Sequence, residues 1–204
     1  MIRALIIFFL FFSIMIGCAI EKPQDPGVVE ADRPVSVQSI AMKKAYFVLN
    51  ALKEKEMEEI SRSVHPQKGV LFSPYGTVDK KRAQVLMPAQ VKELFQVKNQ
   101  KQLEWGTEPG KGEPIRLTPN AYFDQYVYDA EFSETELVTY DGTYQKTNSI
   151  QNIKETFPNS HYVEFYVPGS EEFEGRNWKS LKLVFSEHHH DFYLVGIVHD
   201  QWMP

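Results

Sequence analysis

The sequence predicts an α+β fold in which N-terminal helices pack on a strongly curved, mostly antiparallel sheet. Three observations predict it. Apolar residues from Val37 to Leu52 recur at spacings of three and four, the period of a helix with one buried face. Three late runs, His161 to Val167, Leu181 to Glu187 and Phe192 to His199, are rich in aromatic and β-branched residues and separated by turn signals. In the last of these both alternating sets are largely apolar, so the strand should be covered on both sides, central and curved. Helices first and strands last is the order of an α+β domain rather than of a βαβ array.

The elements follow in order. Ser36 is placed to cap the first helix, in which Val37, Ile40, Ala41, Ala45, Val48 and Leu52 share a face. The charged stretch Lys53 to Glu56 breaks it. A second short helix carries Met57, Ile60, Ser61 and Val64 and ends before His65-Pro66, because proline disfavours helical geometry in the preceding residue. Gly69 to Gly76 reads as a short strand between turns. Pro88 opens a helical segment at the position where its missing N–H costs nothing. Trp105 to Ile115, with three glycines and two prolines, reads as a loop. Thr118-Pro119 starts a helix running from Ala121 through Tyr128, and Asn148 or Ser149 caps a short one ending near Phe157.

The first 34 residues read differently. Arg3 is followed by an apolar stretch to Gly17, broken only by Ser13, and then by Cys18, the single cysteine of the chain. A positive charge and about 14 apolar residues fit an export signal, where a spanning helix needs about 20. Met15-Ile16-Gly17-Cys18 resembles the lipobox of bacterial lipoproteins, which implies cleavage before Cys18 and lipidation of it. The alternative is an uncleaved anchor helix with an incidental cysteine. A lone cysteine in an exported protein has no internal disulfide to make, which favours the lipid. The expected organisation is a signal peptide at residues 1–17, a flexible tether at 18–34, rich in proline and poor in apolar residues, and a single domain at 35–204. The expected location is the extracytoplasmic side of a cell membrane.

Of 204 residues, 43% are hydrophobic and 24% charged, which excludes a disordered tail and a multispanning membrane protein. The formal net charge is −5, and no basic patch is interleaved with aromatics, so nucleic acid is not an expected partner. Gly106, Gly110 and Gly112 do not have phosphate-loop or dinucleotide spacing. No cofactor is expected.

Two helices ending in Val64-His65-Pro66, the short Val70-Leu71-Phe72 strand, further helices and the closing runs Trp178 to Phe185 and Phe192 to Ile197 resemble the superfamily of nuclear transport factor 2, ketosteroid isomerase and the SnoaL-like proteins. The resemblance spans roughly Val35 to Trp202 and rests on layout, without a diagnostic motif. It implies a bent sheet wrapped around helices with a pocket in the cone, and often a dimer through the outer sheet face. It implies no particular reaction, since the fold hosts isomerases, dehydratases and binding modules alike. Tyr46, Tyr122, Tyr126, Asp124 and Asp129 do not match the isomerase constellation by position.

Each candidate site has a structural reading beside the chemical one. His199 and Asp200, at the end of the last strand, could do general acid–base work at a pocket mouth, or the histidine could be a hydrogen-bonded core residue. His199 is expected on the face of Tyr193, Val195 and Ile197. His65 is a weaker catalytic candidate and reads as a capping and turn device. His188, His189 and His190 could hold a metal weakly, but neighbours on a strand point to opposite faces, so an exposed hairpin turn is expected. Tyr122 and Tyr126 share a helical face and read as core packing rather than sugar stacking. Tyr193, Trp202 and Tyr126 are the candidate ligand-binding residues. The function expected is a membrane-anchored, non-enzymatic module binding a small apolar ligand or an envelope protein. The alternative is an isomerase- or dehydratase-type enzyme using His199 and Asp200.

Overall fold

The computed structural model describes residues 36–144 and 150–203. The lipobox-like run with Cys18, the tether, and the cap candidates Asn148 and Ser149 lie outside them. None of the described helices is long and apolar enough to cross a membrane. Residues 35–204 form one compact unit, and the buried clusters are built wholly within it, so this unit has its own core, the requirement for folding alone.

Among the described residues the fold comprises five α-helices and eight strands. Helix α1 (Val37–Lys53) starts where Ser36 accepts a hydrogen bond from the Ser39 N–H, and α2 (Met57–Ser63) ends before His65-Pro66. Strands β1 (Val70–Ser73) and β2 (Gln84–Leu86) follow, then α3 (Pro88–Lys92). Strands β3 (Leu103–Thr107) and β4 (Pro114–Leu117) form a separate hairpin, so the expected loop at 105–115 is a turn flanked by paired strands. Helix α4 (Pro119–Tyr126) is capped by Thr118 and stops two residues short of the expected end. The last elements are β5 (Val138–Tyr140), α5 (Ile153–Thr156), β6 (Ser160–Val167), β7 (Lys179–His188) and β8 (Asp191–Gln201).

The main sheet has the order β2-β1-β8-β7-β6-β5 and is antiparallel except where β1 runs parallel to β8. This is the α+β architecture the sequence predicts, a few helices on a curved, mostly antiparallel sheet. β8 is interior to the sheet and buried on both faces, as its double apolar pattern requires. The inner face carries Val163, Phe165, Leu181, Leu183 and Ile197 and packs with apolar residues of α1, α2, α4 and the β3–β4 hairpin. The outer face carries Leu71, Tyr162, Val184, Val195 and Val198, under Val78, Ile153 and Phe157.

A bulge breaks the alternation of β8. Val184 pairs with Gly196 but Phe185 pairs with Leu194, so Val195 is an extra residue with no partner on β7. Leu194 and Ile197 therefore share the inner core, while Val195 joins the outer cluster. His199 keeps company with Ile197 but not with Val195 or Tyr193, which corrects the strict alternation expected of this strand.

Candidate functional site

The inner face is filled rather than hollow. Trp105 and Tyr122 stack with centroids 4.0 Å apart, Phe72 meets both edge-on, and Phe123 and Phe132 complete the packing with almost no exposure. The region where the resemblance implies a cone pocket is thus occupied by the protein's own aromatic side chains. The Tyr122 hydroxyl is buried there without a hydrogen-bond partner among the described residues. Tyr126 belongs to the same cluster, its hydroxyl 3.5 Å from that of Tyr75. Burial raises the Tyr122 and Tyr75 hydroxyls above the usual phenol value, with Tyr126 adding to it. Core packing accounts for Tyr122 and Tyr126 as expected.

His199 lies at the edge of this cluster and is fully buried. Its Nδ1 is 3.0 Å from the Pro74 carbonyl oxygen and its Nε2 3.1 Å from Asp129 Oδ1. Both ring nitrogens face oxygen acceptors, so neither is offered to a substrate. Asp129 is also 2.7 Å from Lys179 Nζ. Burial pushes the Asp129 carboxyl up, but the hydrogen bonds and charges of His199 and Lys179 outweigh it and hold the group below its ordinary value.

Asp200 points the other way. Successive strand residues face opposite sides, so Asp200 sits on the outer face with Glu164 and Lys182, all three essentially inaccessible. Lys182 Nζ is 3.0 Å from Glu164 Oε1 and 3.8 Å from Asp200 Oδ2, and it donates to Ser180 Oγ at 3.0 Å. Ser180 Oγ donates to Glu164 Oε1 at 2.6 Å, the Tyr144 backbone N–H to Glu164 Oε2, and Gln151 Nε2 to Asp200 Oδ2 at 2.8 Å. Gly76 closes over the cluster so tightly that a Cβ there would stand 2.2 Å from Gln151 Nε2 and 2.6 Å from Asp200 Oδ2. His199 and Asp200 therefore do not form a pair. The outer face at Lys182 and Val184 is covered by the chain itself, so that part of it is not open to a second copy.

The remaining candidates are dispersed. His65 is buried, and its Nδ1 accepts hydrogen bonds from the Gln67 and Lys68 N–H groups at 3.1 Å each, the turn device expected of it. Burial, with Lys68 and His188 nearby, holds it below the ordinary histidine value. His188 ends β7, and His189 and His190 form the turn to β8 with positive φ of 50° and 63°, so the hairpin turn expected at the histidine run is a two-residue one. Among the described residues no cluster of three or more metal-ligating side chains occurs. Tyr193 and Trp202 lie nine residues apart along β8 and its end, about 30 Å in extended chain, so the three aromatic candidates do not converge. Trp202, 36% exposed and with the Arg176 guanidinium 5.7 Å from its ring centre, lines a 300 Å³ cavity with Tyr75 and Gln201. Tyr193 lines a 650 Å³ groove between α1, α2 and β8. His161, which the sequence did not single out, sits half-buried with Asp141 Oδ2 at 2.6 Å and the Tyr140 hydroxyl at 2.7 Å from the same Nδ1.

A cavity of about 440 Å³ opens on the outer face beside the bulge. Leu71, Val195 and Phe157 form its apolar surface, Val85 one exposed wall, and Lys68 and Lys80 its cationic rim. Gly196 makes it possible. A Cβ at 196 would meet Phe157 Cζ at 2.8 Å and Val184 Cγ2 at 3.2 Å, so only a glycine lets the Phe157 ring lie against the strand. Neither lysine was legible as a site residue, since each sits in ordinary polar turn sequence.

No protein-family model matches the chain, and no curated protein is similar to it. Among solved structures it is similar to a designed NTF2-like protein at 10% identity and a TM-score of 0.30, covering 78% of this chain and 95% of that one. It is also similar to a protein from Xanthomonas campestris described as a calcium/calmodulin dependent protein kinase II association domain. That match has 10% identity and a TM-score of 0.31, covering 80% of this chain and 84% of the other. Neither likeness carries a reaction, a ligand or a site residue to this chain.

Proposed function

We propose that this chain is an exported protein held at a membrane surface by lipid on Cys18, and that its domain is a non-catalytic module that binds a small apolar ligand. The lipid part rests on the Arg3 and apolar leader and on the lipobox-like Met15 to Cys18. The binding part rests on one observation: the outer-face cavity is concave, of ordinary ligand size, and walled by Leu71, Val195 and Phe157. The alternative enzyme reading loses its geometric basis, because His199 and Asp200 stand on opposite faces and are each committed to internal partners.

Two measurements test the reading. Metabolic labelling of the full chain with an alkyne-bearing palmitate should mark the wild type and not Cys18→Ser, and the wild type should sediment with membranes. Unlabelled wild-type chain would remove the lipid half. For the binding half, Val85→Trp narrows the cavity from its exposed wall without touching the core. Native mass spectrometry and thermal shift across a panel of apolar molecules should find a ligand for residues 35–204 whose stabilisation falls in that variant. A ligand indifferent to Val85→Trp would place binding elsewhere.

A further inference from the structure

The rim of the outer-face cavity has a charge that its apolar walls do not need. The chain is acidic, and most of its described lysines and arginines have a carboxylate within 4 Å, among them Lys44, Lys53, Lys55, Lys92 and Lys179. Lys68 and Lys80 have none among the described residues. Lys68 Nζ instead donates to the Ser186 hydroxyl at 2.7 Å, a neutral partner that orients the ammonium without cancelling its charge. Lys80 Nζ lies 5.9 Å from the centre of the Phe157 ring, the same ring that rests on Gly196 and walls the cavity. Two unneutralised cations therefore stand over an apolar surface, each held by a contact that leaves its charge available.

That combination selects a ligand with an anionic end and an apolar body. A purely apolar ligand would gain nothing from either lysine, and a small anion would gain nothing from Leu71 and Val195. We propose that this cavity binds a single-chain fatty acid, with the carboxylate between Lys68 and Lys80 and the alkyl chain over Leu71, Val195 and Phe157. The proposal deepens the binding-module reading and rests on it. The bulge is what brings the parts together: in a strict alternation with Ile197, Val195 would belong to the inner face and the cavity would lack that part of its apolar wall. The groove between α1, α2 and β8 is larger, but two of its cations are already paired, Lys44 with Asp191 and Arg62 with Glu59.

The test is calorimetric titration of residues 35–204 with decanoate, octanoate and decan-1-ol, all below their aggregation limits, after a cooperative melt has shown each protein folded. Decanoate should bind at least tenfold more tightly than decan-1-ol. Octanoate should bind roughly fifteenfold more weakly than decanoate, since it is two methylenes shorter and each methylene buried is worth about 0.8 kcal/mol, or nearly fourfold. The double variant Lys68→Gln/Lys80→Gln should lose at least tenfold for decanoate and leave decan-1-ol unchanged, while Lys43→Gln in the other groove should change neither. Equal binding of acid and alcohol would overturn the fatty-acid proposal and leave the apolar-binding reading standing. An equal loss in Lys43→Gln would overturn the site. If folded protein binds neither compound, the proposal falls and the binding-module reading falls with it.

Discussion

Replacing Lys182 with methionine should be among the most damaging single changes in the fold. The side chain is inaccessible, and its ammonium sits 3.0 Å from one buried carboxylate and 3.8 Å from another. Methionine keeps the unbranched stem, one atom shorter, but supplies no charge, so Glu164 and Asp200 would remain buried without their cation. Breaking a buried pair from one side costs about 3–5 kcal/mol. The lower end applies here, because Glu164 keeps hydrogen bonds from Ser180 and the Tyr144 backbone, and Asp200 keeps Gln151. A loss of about 3 kcal/mol lowers Tm by roughly 6–12 °C in a unit of this size. Thermal and urea melts of residues 35–204 at pH 7 measure it. A further sign follows from the same cause. Adding Glu164→Gln to the variant removes an orphaned charge and should recover at least about 1 kcal/mol, a coupling expected of contacting residues. A loss below about 1 kcal/mol at neutral pH, with no coupling, would refute the claim that this part of the outer face is dry.

Tyr122→Phe removes a buried hydroxyl that has no partner among the described residues, so stability should stay the same or rise by up to about 1 kcal/mol; a clear fall in Tm would reveal a hydrogen-bonded water or ligand at that oxygen. Gly196→Ala places a methyl 2.8 Å from Phe157, which should cost about 1–3 kcal/mol by overpacking and weaken ligand binding at the outer-face cavity together with it. Unchanged stability and binding would mean that the Phe157 ring moves freely. His199→Gln should shift the acid limb of the stability profile. The folded-state value of Asp129 is depressed, so its stabilising contribution is complete above the unfolded carboxylate value near 4 and is lost as pH falls through the lower folded value. Without the imidazole the loss should begin at higher pH, and acid limbs that superimpose between pH 6 and 2 would contradict it.

Local signals were strong where one residue type settles the local geometry. The Ser36 and Thr118 caps, the helix break before His65-Pro66 and the hairpin turn at His189-His190 each depend on a few neighbouring residues, and each was legible. Strands β2, β4 and β5 were not. They are only three or four residues long, and β4 contains Pro114, so their strand character comes from pairing with other strands rather than from their own pattern. The loop reading of Trp105 failed for a related reason: its indole N–H donates to the Leu117 carbonyl at 2.9 Å, a contact twelve residues away that no local window contains.

The functional residues were hidden by the same mechanism at larger scale. Reading β8 as a strict alternation put His199 on one face with Tyr193 and Val195, whereas Asp200 was made its catalytic neighbour by adjacency in the sequence, which on a strand sends the two side chains to opposite faces. One extra residue at 195 turns the first half of the strand over relative to the second, so the sequence pattern is right on each side of Gly196 and out of phase across it. That phase change sends Val195 outward to the cavity and Leu194 inward to the core. It also explains why a glycine stands in an otherwise apolar run: position 196 must accept the Phe157 ring that walls the cavity. The two lysines that complete the site arrive from turns on either side of β1, with nothing local to mark them. If the bulge is the device that builds the cavity, restoring the alternation should abolish binding while sparing the inner core. Deleting Val195 is the direct way to test this. The shortened chain should keep the Trp105 and Tyr122 stack, read by near-ultraviolet circular dichroism, and lose decanoate. A deletion variant that still binds decanoate as wild type does would show that the bulge is incidental to the site.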